Sequence, residues 1–352
     1  MPSLHIDPMQ RSVDTIIIGA GPGGLACAKL LAENNRQVLV LERKQIIGPK
    51  VCAGGITWSG LLRHVPEELI EQAFPEQSIF SNLQKIKISE PEPIVATINR
   101  KILGQWMARA AADAGATIET GVTVRKITAD HVVVQYTDGK VRTIGYTHLV
   151  GADGSTSMVR RFLKISTDKM GIGINYQING TCTDMEWHLN TKMFGSGYGW
   201  IFPHRDTISI GAYGDQHNLP AAELKKRLLA WAAEKGYDLS RQQARAALVN
   251  YDFQGFSFGP VLLVGDAAGL ASGLTGEGIY PAIITGEAVA KKIIDPDYPA
   301  DEITAMAKKQ LQHQKVIRIA AIHPWLCSLL MEWLVFLLRI KLLDFHALEM
   351  AD

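Results

Sequence analysis

The sequence predicts an α/β fold. One mostly parallel sheet is assembled from three separated stretches of chain, a β-rich domain is inserted between them, and a helical, apolar region closes the C-terminus. Three observations predict it. Residues 13–44, VDTIIIGAGPGGLACAKLLAENNRQVLVLERK, read as strand, glycine turn, helix and strand. Two later segments, around 149–154 and 262–267, each carry a buried strand into an Asp-containing turn. Between and beyond them lie stretches with strand-like rather than helical patterning.

DTIIIG is continuously apolar rather than alternating, as a strand covered on both faces must be. GGLACAKLLAEN is the helix and QVLVLE the second strand. Gly19, Gly21 and Gly24 fit G-x-G-x-x-G, with Gly23 beside the third. Gly19 allows the tight turn, Gly21 lets the backbone approach a pyrophosphate, Gly24 lets helix and strand pack, and the helix N-terminus meets the phosphate charge. Glu42, followed by Arg43, ends the second strand where a carboxylate can hold ribose hydroxyls. A carboxylate there disfavours a 2′-phosphate. This is a Rossmann unit for a dinucleotide, and alone it does not separate FAD from NAD.

HVVVQYTDGKVRTI reads as a hairpin turned by Asp138-Gly139. Residues 170–214 are β-rich, 221–235 form a helix, and helices follow the strand in PVLLVGDAAG. The expected division is 1–55, 99–164 and 259–295 for the cofactor domain, 56–98 and 165–258 for the substrate domain, and 296–352 for the C-terminal region. Asp153 and Asp266, in the two Asp-containing turns, are placed to accept hydrogen bonds from cofactor hydroxyls. Gly276, Gly278 and Ile279 open a helix whose N-terminal amides suit a flavin pyrimidine ring that gains negative charge on reduction.

These three segments resemble the glutathione-reductase-type flavoproteins of the p-hydroxybenzoate hydroxylase class, which implies FAD. Arg100, in INRKILGQWM, matches that class's arginine at a helix start near the cofactor, and Val124, in GVTVRKI, its adenine-contacting position. Within the class the sequence resembles the geranylgeranyl reductase family. GDAAGLASGLTGEGI carries Gly269 where aromatic hydroxylases usually have His and continues Thr-Gly-Glu-Gly-Ile. GYGWIFP matches the family's Tyr-x-Trp-x-Phe-Pro at Tyr198, Trp200, Phe202 and Pro203, and KVCAGG resembles its Lys-x-Cys-Gly-Gly, with Ala53 a departure. The proline that commonly precedes Thr-Gly-Glu-Gly is absent; Ser272, Gly273 and Leu274 occupy the approach.

The resemblance implies saturation of carbon–carbon double bonds in a prenyl lipid or prenyl diphosphate, with NADPH or ferredoxin as electron donor. Positive charge developing on a tertiary carbon would be stabilised by the aromatic face of Trp200 or Tyr198. The bland alternative for Tyr198, Trp200 and Phe202 is alternate-facing packing in a strand. Tyr198, His204 and a bound water stand as proton donors. The resemblance sets the Cys52 loop beside the isoalloxazine, where Cys52 is either a flavin- or substrate-contacting group or a small residue between glycines. Lys50 is either solvated or turned to the cofactor. Two rival readings remain: a flavin monooxygenase of a hydrophobic substrate, and a flavin-containing lipid-binding protein without turnover. The W-x-W-x-I-P element of halogenases is not present.

Composition sets outer bounds. The 352 residues are 47% hydrophobic and carry a formal net charge of +1, which offers no global argument for nucleic acid. The four cysteines form no CxxC pair and no zinc-spaced cluster, so a disulfide framework and a metal site are not expected, and a reducing, cytoplasmic setting is. IAAIHPWLCSLLMEWLVFLL, residues 319–338, has the length of a bilayer crossing but is interrupted by His323, Pro324 and Glu332. It reads as a buried or dimer-packing helix pair, as a segment lying in a membrane interface on the inner face, or as a span. Oligomeric state is left open.

Overall fold

The computed structural model describes residues 11–58, 64–345 and 350. A five-stranded parallel layer forms the centre of the first sheet. Its order is Thr117–Thr120, Val38–Glu42, Arg11–Ile18, Val141–Gly151 and Val261–Leu263, with Ser257–Phe258 antiparallel at one edge. The hairpin expected at Asp138-Gly139 forms: His131–Tyr136 pairs antiparallel with Val141–Gly151, and Gly139 takes φ +85°. Val122–Ile127 pairs with its other edge.

Helices Pro22–Glu33 and Ile279–Ile294 pack side by side on this sheet, and glycine sets their distance. A Cβ on Gly286 would lie 2.2 Å from the Gly23 carbonyl oxygen. Gly24 is equally constrained, since a Cβ there would sit 2.1 Å from the Gly19 carbonyl and 3.2 Å from an Ile17 methyl. Ile16, Ile17, Leu39, Val40, Leu149 and Val150 are fully buried in this sheet, as the apolar runs of parallel strands require.

The second sheet has seven strands, ordered Arg245–Asn250, Met170–Asn179, Thr207–Asp215, Tyr198–Pro203, Glu186–His188, Glu76–Phe80 and Lys85–Ser89. Its two faces differ by the period-two rule. Ile172, Ile174, Tyr176, Ile201, Ile208 and Ile210 pack against Leu224, Leu228 and Trp231 of helix Ala221–Glu234. Asn175, Ser209, Tyr213, Trp200 and Phe202, which alternate with them, take the opposite face. A small third sheet, Gly55–Thr57, Val95–Ile98 and Ile70–Phe74, bridges the two larger ones.

The apolar stretch 319–338 is not one helix. Helix Asp301–Ala320 ends, residues 321–323 turn, and Pro324 starts helix Pro324–Arg339 from an extended His323. Proline suits the first helical turn and cannot continue the preceding one. No described helix is long and apolar enough to cross a membrane, which removes the spanning alternative for this stretch. Met331, Val335 and Leu338 on one face of the second helix join a core cluster with Trp200, Phe202 and Tyr213.

Candidate active site

The carboxyl ends of the parallel strands open onto a cavity of about 1000 Å³, roofed by the second sheet. The glycine turn lies at one end. Gly19 takes φ +106°, and a Cβ there would meet the Ala152 carbonyl oxygen at 2.4 Å, so the turn requires glycine. A Cβ on Gly21 would have only that oxygen near it, at 3.9 Å, so this side of the turn is open for a ligand's approach. The Glu42 carboxylate accepts the Ala20 and Lys44 amides, each at 2.9 Å, which fixes it across the turn. Arg43 is exposed at the rim and Val124 lines the wall.

Arg100 stands at the first position of helix Arg100–Asp113, which Asn99 caps by accepting the Lys101 and Ile102 amides at 3.0 and 3.4 Å. Its Nε is buried without a hydrogen-bond partner while the side chain lines the cavity. Asp153 is similar. One oxygen caps helix Met158–Phe162 by accepting the Met158 and Val159 amides at 2.6 and 3.3 Å; the other is buried and unpartnered. Burial pushes this carboxyl above its ordinary range. Asp266 accepts the Lys50 ammonium and the Ser155 hydroxyl, both at 3.0 Å, so Lys50 reaches inward across the cavity from its loop. Gly278 caps helix Ile279–Ile294, which has no acidic residue in its first turn to compete for an incoming anion.

The Gly276 loop is knotted by Ser272. Its Oγ accepts the Leu274 and Thr275 amides at 3.2 and 3.0 Å and lies 2.9 Å from Nδ1 of His313. With two amides donating to it, the hydroxyl donates to a neutral His313. Burial lowers the His313 pKa to about 4. Gly269, read from sequence as replacing a hydroxylase histidine, has a backbone reason instead. It takes φ +84° at a helix end, and a Cβ would meet the Asp252 carbonyl oxygen at 2.4 Å.

Across the cavity from these groups lies the second sheet. The pairings Arg245↔Asn175, Asn175↔Gly211, Gly211↔Trp200 and Trp200↔Trp187 form one cross-strand row on the cavity face. Trp200 packs against Gly211, where a Cβ would sit 2.1 Å from its ring. Its Nε1 donates to Ser209 Oγ at 3.0 Å, Ser209 donates to Asn175 Oδ1 at 2.9 Å, and Asn175 Nδ2 donates to the Cys52 carbonyl at 3.0 Å. One buried relay thus fixes the indole plane and the cysteine loop together. Tyr198 donates to the Thr275 carbonyl, and burial, then Cys52 and Glu277, push its phenol pKa well up. Its ring sits 5.9 Å from Trp200 and 5.1 Å from Trp187.

The Cys52 loop is held from behind. Cys52 Sγ accepts the Gly54 amide at 3.4 Å. His204 Nε2 donates to the Ala53 carbonyl at 2.9 Å, and its Nδ1 meets Glu71 at 2.5 Å. That contact holds the Glu71 carboxyl below its usual range against the effect of burial. His204 does not line the cavity, so its place is to position the loop.

Apart from His204, offered as a proton donor but set behind the Cys52 loop, the cofactor and catalytic residues expected from sequence all line this one cavity. Sequence reasoning missed Asn175, Ser209, His313, Tyr213 and Trp187, and named Ser272 only as part of the approach to Thr-Gly-Glu-Gly. None of them left a local signal: Asn175 shares strand Met170–Asn179 with Gln177 and Asn179, so its polarity alone does not single it out.

The cradle fits a dinucleotide flavin. The glycine turn is open on one side, and a guanidinium nitrogen and a carboxylate oxygen are buried against the cavity without partners. Residues 12–296 match the family model described as FAD binding domain. The chain belongs to the geranylgeranyl reductase family of FAD-dependent flavoproteins. It is 30% identical over 329 residues to digeranylgeranylglycerophospholipid reductase 2 of Methanopyrus kandleri, covering 85% of this chain and 81% of that protein. It is 25% identical to the chloroplastic geranylgeranyl diphosphate reductase of Nicotiana tabacum, over 81% of this chain and 67% of the relative. Among solved structures, a geranylgeranyl bacteriochlorophyll reductase-like protein of Thermoplasma acidophilum superposes with a TM-score of 0.82 at 19% identity, over 96% of this chain and 95% of that one. A flavin-dependent brominase superposes at 0.70 with 17% identity, over 97% and 94%. The fold by itself therefore leaves the reaction class open.

Proposed function

We propose that this reductase-family flavoprotein saturates carbon–carbon double bonds of a prenyl lipid or prenyl diphosphate. The observation that carries the reading is the aromatic sheet face of Tyr198, Trp200 and Phe202, which alternates onto the same cavity as the cofactor cradle. A hydroxylase-type aromatic substrate does not require such a length of apolar wall; a prenyl chain does. The named reductases among the relatives support it.

FAD, when bound, supplies a hydride to one alkene carbon. The chain's own residues do the rest. Gly21, Glu42, Arg100 and Asp153 would hold the cofactor, with Val124, Arg43 and the Ile279 helix N-terminus completing the cradle. As a proton from bound water adds to the less substituted alkene carbon, positive charge develops on the tertiary carbon that takes the hydride, and Trp200, its plane fixed through Ser209 and Asn175, presents a π face to that charge. The cavity's apolar wall keeps bulk water from that charge. Cys52 touches the cofactor or the alkene from a loop that His204 holds still. Tyr198 keeps its phenol neutral and bound to Thr275, which fits it to lining the wall better than to giving up a proton. The electron donor is NADPH or ferredoxin, and a lipid substrate brings the protein to a membrane surface.

The test is anaerobic. Reduced holoenzyme is mixed with geranylgeranyl phospholipid and geranylgeranyl diphosphate, and the product is weighed. Flavin reoxidation with two hydrogens gained per bond is the expected result. A product carrying oxygen from O₂, with no anaerobic turnover of any alkene, overturns it in favour of a monooxygenase.

A further inference from the structure

We infer that helix Pro324–Arg339 lies in the interface of an anionic membrane, and that the turn after it passes the prenyl chain from the bilayer into the cavity. This rests on the substrate proposed above.

The helix is apolar on two faces. Met331, Val335 and Leu338 are inside. Trp325, Leu329, Trp333, Phe336 and Ile340, at spacings of three and four, share the outer face, where Trp325 is 65% and Trp333 57% exposed. Leu83, 85% exposed, extends this surface from the neighbouring turn. The helix's one acid does not interrupt it. Glu332 is turned to that turn and accepts the Ser81 hydroxyl at 2.7 Å, the Leu83 amide at 3.0 Å and the Gln84 side-chain amide at 3.0 Å.

Charge identifies the occupant. Arg318, Arg339 and Lys341 are exposed at the two ends of the patch, and no exposed acid lies on this helix. Sixteen residues make a rod of about 24 Å, too short to cross a hydrocarbon core of about 30 Å and suited to lying along it.

Geometry connects the patch to the cavity. Leu342, 74% exposed, continues the outer surface. Three residues later Phe345 is buried, lines the cavity and lies 5.8 Å from Trp187, the end of the row that includes Trp200. Between them, half-buried Leu343 packs on the same cluster. Apolar side chains therefore step inward from Leu342 through Leu343 to Phe345 at the cavity wall, with the charged Lys341 and Asp344 of the same turn exposed.

The test uses holoenzyme with vesicles of phosphatidylcholine and phosphatidylglycerol whose acyl chains are brominated. Wild type is expected to float with the vesicles, with tryptophan emission quenched and binding weakened by salt. Trp325→Glu/Trp333→Glu should reduce partitioning by roughly tenfold or more while FAD absorbance and turnover of a detergent-dispersed substrate are unchanged. Phe345→Asp should float like wild type and keep its FAD, yet its turnover of vesicle-embedded lipid relative to a short soluble prenyl substrate should fall by about tenfold. Phe345→Leu should restore that ratio. Wild type that neither floats nor is quenched at any anionic fraction overturns the proposal. So does a wild-type dimer that Trp333→Glu converts to monomer, which would make the face a subunit interface. An unchanged substrate ratio in Phe345→Asp removes the transfer role. Flotation and quenching without turnover of any prenyl compound supports the membrane seat and overturns the substrate reading alone.

Discussion

Cys52 and Trp200 carry the chemistry that is most easily tested, and their surroundings decide which substitutions are informative. Cys52→Ser keeps an acceptor for the Gly54 amide, so the loop should stay in place and the FAD spectrum should be retained. Slower anaerobic product formation is expected, and parent-like turnover would reduce the thiol to a space-filling group. Trp200→Ala is a poor probe. The side chain is 4% exposed and its removal leaves a large void, so a stability loss of about 3–5 kcal/mol will accompany any kinetic effect. Trp200→Phe keeps a π face but loses the donor to Ser209 and part of the ring volume; it should remain folded by circular dichroism and slow the anaerobic step by less than roughly tenfold. At this scale the sequence was generous where a motif exists and silent elsewhere. The glycine turn, Glu42 and Tyr198-x-Trp200 were legible because each residue type answers to a local demand. Asn175, Ser209 and His313 were not, because their partners lie far along the chain. Arg160 was equally unreadable: it is 1% exposed and donates to the Ser166 and Asp252 carbonyls, both at 2.7 Å, tying three loops behind the site.

Loops and helices make their own demands. Gly54 takes φ +85°, and a Cβ there would lie 2.4 Å from the His204 ring. Gly54→Ala should displace the Cys52 loop, cost at least about 1–2 kcal/mol in urea unfolding, and lower turnover even if FAD remains bound. His313 links helix Asp301–Ala320 to the Ser272 knot. Its folded pKa is depressed to about 4 from an ordinary 6.5, so the unfolded chain takes up a proton first as pH falls. The stability this neutral ring contributes is present above pH 6.5 and is lost as pH falls towards 4, by on the order of 3 kcal/mol at most. His313→Gln should flatten the Tm-against-pH curve in that window, and an unchanged slope would show that other groups govern it. The hairpin at Asp138-Gly139, the helix at 221–234 and the helix opening after Gly278 were all legible from turn chemistry and periodicity. The break at residues 321–323 was signalled by Pro324. Which faces of the resulting helix would meet core and solvent was not, because both are apolar.

On the scale of the whole molecule, the C-terminal helices are part of the core as well as its edge. Truncation after Arg318 removes Met331, Val335, Leu338 and Phe345 from the cluster that also holds Trp200 and Tyr213. The truncated chain should therefore lose cooperative thermal unfolding, and a cooperative transition near that of the full chain would contradict this packing. The α/β class, the FAD cradle and the family were readable because parallel strands and phosphate-binding turns leave continuous, local signatures. The second sheet's order was not readable, since Glu186–His188 pairs in parallel with Glu76–Phe80 across about a hundred residues of chain. The interleaving of the parallel layer has a temporal consequence. Strand Arg11–Ile18 needs Val141–Gly151 beside it, that strand needs Val261–Leu263, and helix Pro22–Glu33 needs Gly286 against Gly23. Synthesis delivers the phosphate turn at Gly19 about 260 residues before the companion helix Ile279–Ile294 that braces it. Flavin capture is thus a late event in biogenesis, and the nascent chain must keep its most apolar strands out of trouble while it waits.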